Sequence, residues 1–530
     1  MVERSPAVTP EGSSLRSAGH FPNTRSVHII LILLFCLAAH ANALHVPFVF
    51  DDTNNIVGNP RIRDLSNIPA FFVRLDGVPT SGRPLMAATF ALNYRLGGLD
   101  PAGYHLVNLL LHLTNALLLY ALIITTARDH AADEGRAGFL ALAAALIFVV
   151  HPVQTESVTY IVSRSVLLST LFALMGILIF RTAVSAAGMK RALLATALWS
   201  VSLLGMASRE EFFLFPLILV LYDYYFVSTL NAGRVLGHYG LHLPVICTLS
   251  YVLYIVSTFN YTNRAGFGVD VITPGEYLMT QFKVHGTYVR LLLLPMNQNL
   301  DYDYPVTKTM TDVPTLAAFL GYAGLWGAGF YFRARGPALS FSVLLFMVGL
   351  APTSSFMPIA DVIFEHRLYL PSIGFVLAVP LLLYPVVRPV LRSGNALFVL
   401  VVSVAALFAV LTHARNETWK GHLSLFEDVV KKSPAKARGH TDLGTSYYHL
   451  GRYEEAVAQY EQAIALDRTY LETYWNLSAL ASDLEQRGLP TLAARSYNAV
   501  CTHAPPLFQR QIAISCDRAA RLAPVVREGR

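Results

Sequence analysis

Charged side chains are scarce in this chain. Of 530 residues, 14% are charged and 54% hydrophobic, whereas a soluble domain carries roughly 25% charged residues. That shortage excludes a water-soluble fold for most of the chain. The net charge of +6 is no nucleic-acid signature, because the Lys and Arg fall mainly in short connectors between apolar runs. Cysteine is scarcer still. Cys36, Cys247, Cys501 and Cys516 are too few for a disulfide scaffold and lack metal-ligand spacing. Cys36 and Cys247 read as packing residues in apolar segments; Cys501 and Cys516 could bridge if their domain faces an oxidising compartment. Charges near the middle of the apolar runs are missing, as are two related halves, and both absences argue against a transporter.

What is present is a series of apolar runs, each near the roughly 20 residues that a bilayer core requires. They span 26–47, 104–127, 137–151, 157–181, 191–207, 211–227, 238–258, 313–332, 337–356, 369–387 and 396–414. The expected fold is therefore all-α, with about 11 transmembrane helices. The division runs 1–25 for a cytoplasmic N-terminal tail, 26–415 for the transmembrane domain with a long first outer loop at 48–103, 416–510 for a repeat domain and 511–530 for a C-terminal tail. Ala39-His40-Ala41-Asn42-Ala43 imitates a signal-peptide cleavage site. The apolar run continues past it to Pro47, so the first segment reads as a retained span, with cleavage as the alternative. With the N-terminus inside, Arg128, Arg136, Arg181, Lys190, Arg191, Arg234, Arg333, Arg335, Arg388 and Arg392 fall on the cytoplasmic side, as positive-inside asymmetry asks.

The same orientation sends four polar clusters to the outer face: Asp51 with Asp52, His151 to Glu156, Ser208 to Glu211, and Asp361 to Arg367. Acids at the mouth of a membrane helix are costly unless a task keeps them there, and their convergence predicts one reaction chamber. The second run carries His105, Asn108, His112 and Asn115 on one helical face, which reads first as interhelical hydrogen bonding. Between 259 and 312 an amphipathic piece near Tyr277 to Pro295 reads as interfacial. Asp301 beyond it is either a solvated loop residue or a substrate contact. From Ala437 to Tyr470, Leu443, Gly444, Tyr447, Gly451, Tyr453, Ala456, Tyr460 and Ala463 match the 34-residue helix-turn-helix repeat. A second copy starts at Leu471 and resumes at Gly488 after about three extra residues. Such stacks bind partners and carry no chemistry of their own.

Several motifs in order carry a resemblance. Phe48-Val49-Phe50-Asp51-Asp52, Ser81-Gly82-Arg83-Pro84-Leu85, Leu92-Asn93-Tyr94-Arg95-Leu96-Gly97-Gly98-Leu99-Asp100-Pro101, His151-Pro152-Val153-Gln154-Thr155-Glu156 and Glu365-His366-Arg367-Leu368-Tyr369-Leu370-Pro371-Ser372 together resemble the transmembrane and tetratricopeptide repeat-containing family. That family groups with the GT-C glycosyltransferases, related to protein O-mannosyltransferases. The resemblance implies a membrane enzyme that transfers mannose or a similar sugar from a polyprenyl phosphate carrier to Ser or Thr of a protein. It places the catalytic acid on Asp51, with Asp52 second. The repeat array is shorter than in eukaryotic members, so the layout resembles a bacterial relative. The inner membrane with a periplasmic active face is then expected, or the endoplasmic reticulum membrane if eukaryotic.

Sugar transfer from a lipid phosphate needs a base for the acceptor hydroxyl and a cation for the departing phosphate. Asp51, Asp52 and Glu156 are the acid-base candidates. Arg367 fits the phosphate role through its fork of donors, with an ion pair to Glu365 or Asp361 as the alternative; Arg83 and Arg164 are further phosphate candidates. His105, His151, Asp301, Glu365 and His366 complete the candidate substrate contacts. Neither a metal nor another cofactor is demanded, the lipid-linked sugar being substrate. The expected partners are that sugar carrier, the bilayer and a protein bound by the repeats, with no nucleic acid. A membrane-anchored repeat scaffold without catalysis is the alternative.

Overall fold

The computed structural model describes residues 21, 24–73, 82–130, 133–258, 269 and 272–528. Almost all of the expected N-terminal tail, and Ser81, lie outside them. Among the described residues the elements are helices throughout, as expected of an all-α chain. Seven helices are long and apolar enough to cross a membrane: Arg25–His45, Pro101–Asp129, Ile161–Val184, Gly188–Ser208, Val313–Tyr331, Ser372–Leu391 and Gly394–Trp419. The bent pair Glu134–Val150 and Pro152–Thr159 makes an eighth. This is a multi-pass membrane protein, and by length and apolarity alone the described residues supply seven or eight of the eleven expected crossings. The other three expected segments are short or interrupted. The run 211–227 yields Phe215–Tyr222 and a wide turn. The run 238–258 breaks at Thr248 into Tyr239–Cys247, which contains Pro244, and Leu249–Thr258. The run 337–356 forms Pro337–Leu350.

Local chemistry sets the helix starts. Asp100 accepts from the Ala102 N–H and is followed by Pro101; Asp133 caps at Arg136, and Thr273 with Glu276 closes a full capping box on Pro274–Leu293. The polar stripe of Pro101–Asp129 is an interhelical fastener. His112 bonds the Tyr369 hydroxyl at 2.7 Å and the Val149 carbonyl at 3.1 Å, and Asn115 donates to the Leu167 carbonyl and to Tyr369. The apolar runs of the first loop become the short helices Ile68–Val73 and Pro84–Gly97.

The repeat domain follows Gly394–Asn416 without a gap. His422–Lys432 is followed by the pairs Ala437–His449 with Tyr453–Leu466 and Leu471–Gln486 with Pro490–His503. Each pair turns at a glycine with φ +74, Gly451 and Gly488, a conformation that L side chains rarely adopt. The stretch expected as a C-terminal tail is instead most of the helix Gln509–Glu528, packed on Pro490–His503. Cys501 and Cys516 join these two helices in a disulfide, with 15 residues of separation. Breaking a cross-link of that loop length costs about 3 kcal/mol in the chain-entropy account. Cys501→Ala is therefore expected to lower the melting transition of the repeats, read by far-ultraviolet circular dichroism, and a reducing agent should do the same to wild type only.

Candidate active site

The chain leaves its first span through a 3-10 turn, Ala41–His45. The Val46 carbonyl is then caught by His105 Nε2 at 2.8 Å. His105 thus aims the segment that follows and lies behind the acids rather than among them. Phe50 comes next with φ 53, in the left-handed region that a bulky side chain avoids. Such a conformation costs on the order of 1–3 kcal/mol and persists only where surroundings over-determine it. Its ring packs against Tyr160 and, from the repeat domain, Phe426, and the Arg438 guanidinium lies 5.7 Å from the ring centre.

Phe50's turn gives the two adjacent acids different environments. Asp52 is fully buried. Its carboxyl accepts the Val49 N–H at 3.2 Å on one oxygen and the Val162 N–H at 2.9 Å on the other. Burial pushes it up to about 8, against the backbone N–H bonds that favour the ionised form. A carboxyl engaged on both oxygens and largely protonated near neutrality is a clamp, not a base. Asp51 is only half-buried. Its backbone N–H donates to the Tyr160 hydroxyl at 3.2 Å, and its carboxylate stands beside that hydroxyl. Across from it, Asp442 of the first full repeat is pushed well above the ordinary carboxylate range by burial and then by Glu472, with Asp301 and Asp51 adding to the effect against Arg438.

A second cluster starts from Glu156, buried four residues before Tyr160 in the same short segment. Glu156 accepts the backbone N–H of Glu365 at 3.0 Å on one oxygen and His366 Nδ1 on the other. Burial, followed by the charges of Arg209 and Arg367, holds the His366 imidazole well below its usual range. Arg367 donates to the backbone carbonyls of Val362 and Asp361, the latter at 2.7 Å. Among the described residues it makes no side-chain ion pair with Glu365 or Asp361. His366, Arg367, Arg209 and Glu211 line one small cleft with Phe212, Leu214 and Leu370, about 40 Å³ in volume. Arg367 and Arg209 bring positive charge to it, Arg209 in an ion pair with Glu211, and Phe212, Leu214 and Leu370 supply apolar surface.

The remaining candidates are committed elsewhere. Arg164 is fully buried, with its guanidinium donating to Asn108, Asn93, Thr89 and the Tyr104 carbonyl and lying 4.7 Å from the Phe90 ring centre. That network joins the first loop to two spans and leaves no open face for phosphate. Arg83 makes a two-pronged pair with Glu210 through Nε at 3.0 Å and Nη2 at 2.6 Å. His151 is a turn residue, bonded to the Leu292 carbonyl at 2.9 Å and accepting the Val153 N–H. Glu365 accepts from Gln298, the Asn299 N–H and the Tyr302 hydroxyl at 2.6–2.8 Å. It therefore fastens the 298–302 loop rather than facing the cleft.

Asp301 is neither solvated nor placed for substrate. It is buried and ion-paired to Arg438 and Lys436 of the repeat domain. Arg438 bridges Asp301, at 2.7 Å from Nε, and Asp361, at 2.7 Å from Nη2. Ser433 meets Asn299 at 2.8 Å and Lys432 donates to the Gln298 carbonyl. The repeat domain thus reaches both clusters. One route runs through Arg438 to Phe50 and Asp51, the other through Asn299 and Glu365 to Glu156 and His366. Sequence reading missed Arg438, Lys436 and Tyr160. The available signal was a pair of basic residues at the start of a repeat helix, where repeats need none.

Comparisons with known proteins add the family. A TPR repeat model matches residues 430–480. Protein O-mannosyl-transferase Tmtc3 of Drosophila melanogaster is 26% identical, covering 91% of this chain and 60% of its own length. Over most of its length the chain is similar to proteins named as protein O-mannosyl-transferases. A protein O-mannosyl-transferase of Caenorhabditis elegans is 27% identical over 88% of this chain and 66% of its own length. For Protein O-mannosyl-transferase TMTC3 of Homo sapiens the figures are 25%, 88% and 54%. The chain therefore spans between about half and two thirds of the length of these relatives. No solved structure matches.

Proposed function

We propose that the protein is a membrane glycosyltransferase that moves mannose or a similar sugar from a polyprenyl phosphate carrier to a Ser or Thr hydroxyl of a protein. The observation that carries this reading is Asp51, held in a strained turn at the end of the first span, together with a cleft that sets Arg367 and Arg209 among apolar side chains. Relatives named as protein O-mannosyl-transferases support it. In this reading Asp51 takes the proton from the acceptor hydroxyl as its oxygen bonds to the sugar's anomeric carbon. The bond from that carbon to the carrier phosphate breaks, and polyprenyl phosphate leaves with the electron pair, needing no strong acid. Arg367, with Arg209 and His366 beside it, meets the negative charge on the departing phosphate. Because the cleft holds little more than a water molecule, donor entry widens it, and Phe212, Leu214 and Leu370 offer the apolar surface along which the carrier's chain would pass. The Lys and Arg asymmetry supports the non-cytoplasmic face for this chemistry, with the repeats presenting the acceptor.

The test uses purified full-length protein in lipid with radiolabelled polyprenyl phosphate sugars and a Ser/Thr-rich protein acceptor. Label moving to the acceptor establishes the reading. A panel of donors left untouched sinks it and favours a membrane-anchored repeat scaffold. Arg367→Gln should weaken the donor phosphate contact by about 1.5–3 kcal/mol, the range for a charge-assisted bond. Roughly ten- to hundredfold lower kcat/KM for the donor is expected, with the acceptor KM unchanged.

A further inference from the structure

A second cluster of ligating side chains lies far from the cleft and has no part in sugar transfer. The helix Phe215–Tyr222 starts next to Leu214 of the cleft wall and runs away from it. Asp223 follows, about 13 Å further along at 1.5 Å per residue. It opens the wide π-type turn Asp223–Val227. The chain then reverses through Thr229 at φ 50 and Leu230 at φ 64, two consecutive non-glycine residues in the left-handed region. His238 and His242 stand one turn apart, at the start of and within Tyr239–Cys247. This reversal brings both imidazoles onto one carboxylate. Asp223 is fully buried, with His238 Nδ1 at 2.9 Å and His242 Nε2 at 2.7 Å from the same oxygen, Oδ2. Ser228 donates to Oδ1 at 2.7 Å and holds the carboxylate in place. Phe180 packs against both imidazoles.

We propose that Asp223, His238 and His242 form a site for one divalent transition-metal ion of the zinc class. One atom from each of the three residues lies within 4.8 Å of the others. Two imidazole nitrogens and one carboxylate oxygen are a recurrent zinc set, with bonds of about 2.0–2.2 Å. Tetrahedral bonds of that length separate neighbouring ligand atoms by roughly 3.3 Å. The nitrogens therefore need to withdraw from Oδ2 by only a few tenths of an ångström to admit the ion. Two histidines spaced by four on a helix share a face, the arrangement by which a helix grips a metal. A simple Asp–His hydrogen bond needs one imidazole. Here two converge on one oxygen, as ligands of a common ion do. The Ser228 bond is the kind of outer contact that orients a ligating carboxylate. Water completes the coordination, reaching the ion past His238, the more exposed of the two histidines. The ion fastens the end of Phe215–Tyr222 to Tyr239–Cys247 and holds the strained reversal between them, a structural role independent of sugar transfer.

The experiment uses full-length protein carrying an affinity tag without histidine, purified in detergent without chelator. Elemental analysis should give about one zinc per chain. After chelation, added cobalt(II) should produce the visible absorption of a tetrahedral site, and added zinc should raise the melting temperature. His242→Gln and His238→Gln should each abolish the cobalt bands and the zinc-induced shift. Wild type carries the test alone if the variants fail to fold. Wild type that holds no zinc, gives no cobalt bands and melts unchanged with zinc overturns the proposal. So does stoichiometric metal retained by the double histidine variant, which would put the ion elsewhere.

Discussion

Asp51→Asn is expected to lower sugar transfer by about 10²–10⁴, the usual contribution of a positioned base, while the melting transition stays at the wild-type temperature. The half-buried carboxylate has a proton to take and little structure to support. Asp52→Asn should behave in the opposite way. Each Asp52 oxygen accepts a backbone N–H, and an amide presents its own NH₂ to one of them. A buried N–H left unpaired costs about 1–3 kcal/mol, so this variant should melt early, with activity falling through the loosened turn. The two are separated by measuring turnover and melting on the same preparations. Acidity supplies a further check. A carboxyl raised in the fold from an unfolded value of about 4 to about 8 keeps its full stabilising contribution below pH 4. That contribution is lost as pH rises through 8. Wild type should therefore melt progressively lower from pH 5 to pH 9, and Asp52→Asn should show a flatter slope.

Arg438→Gln is the second large effect. The guanidinium bridges Asp301 and Asp361 and lies over the Phe50 ring. Removing one partner of a buried pair typically costs about 3–5 kcal/mol, and Lys436, which stays beside Asp301 and Asp361, brings the loss toward the lower end. The expected result is release of the repeat domain from the membrane region, measured as protease cutting near Asn416 and faster hydrogen exchange at 298–302. Sugar transfer should fall although no reacting atom has been touched. Asp301→Asn in the same chain should restore part of the docking by removing one of the two acids left to share Lys436, as a double-mutant cycle would show. Equal losses in the single and double variants would mean that the bridge does not hold the domains together.

Much of this architecture was legible. Apolar runs gave the membrane domain, the Gly451 and Gly488 spacing gave the repeats with their three-residue insertion, and the polar face of Pro101–Asp129 gave interhelical bonds. Three runs fold as short or broken helices, because hydropathy registers apolar length and not continuity. A break at Thr248 divides one run and a wide turn at Asp223 ends the helix of another. Within the candidate site, adjacency hid the difference between Asp51 and Asp52, which is set by Val162, over a hundred residues away. The three arginines looked alike in sequence for the same reason. Arg164 is surrounded by Asn93, Asn108 and Thr89, Arg83 meets Glu210, and only Arg367 retains a place on the cleft. Asp301 looked like loop because its partner, Arg438, lies in another domain. Long-range partners set these roles, and a single sequence does not print them.

The docking of Ala437–His449 onto Phe50 and Asp301 sets a practical boundary for protein engineering. Exchange of repeat arrays between relatives invites a junction at Asn416, where the last membrane helix ends. That junction would graft foreign side chains at Phe426, Ser433, Lys436 and Arg438 and remove the turn's supports along with the array. A seam placed after His449 keeps them, so the interchangeable part of the array begins at Tyr453.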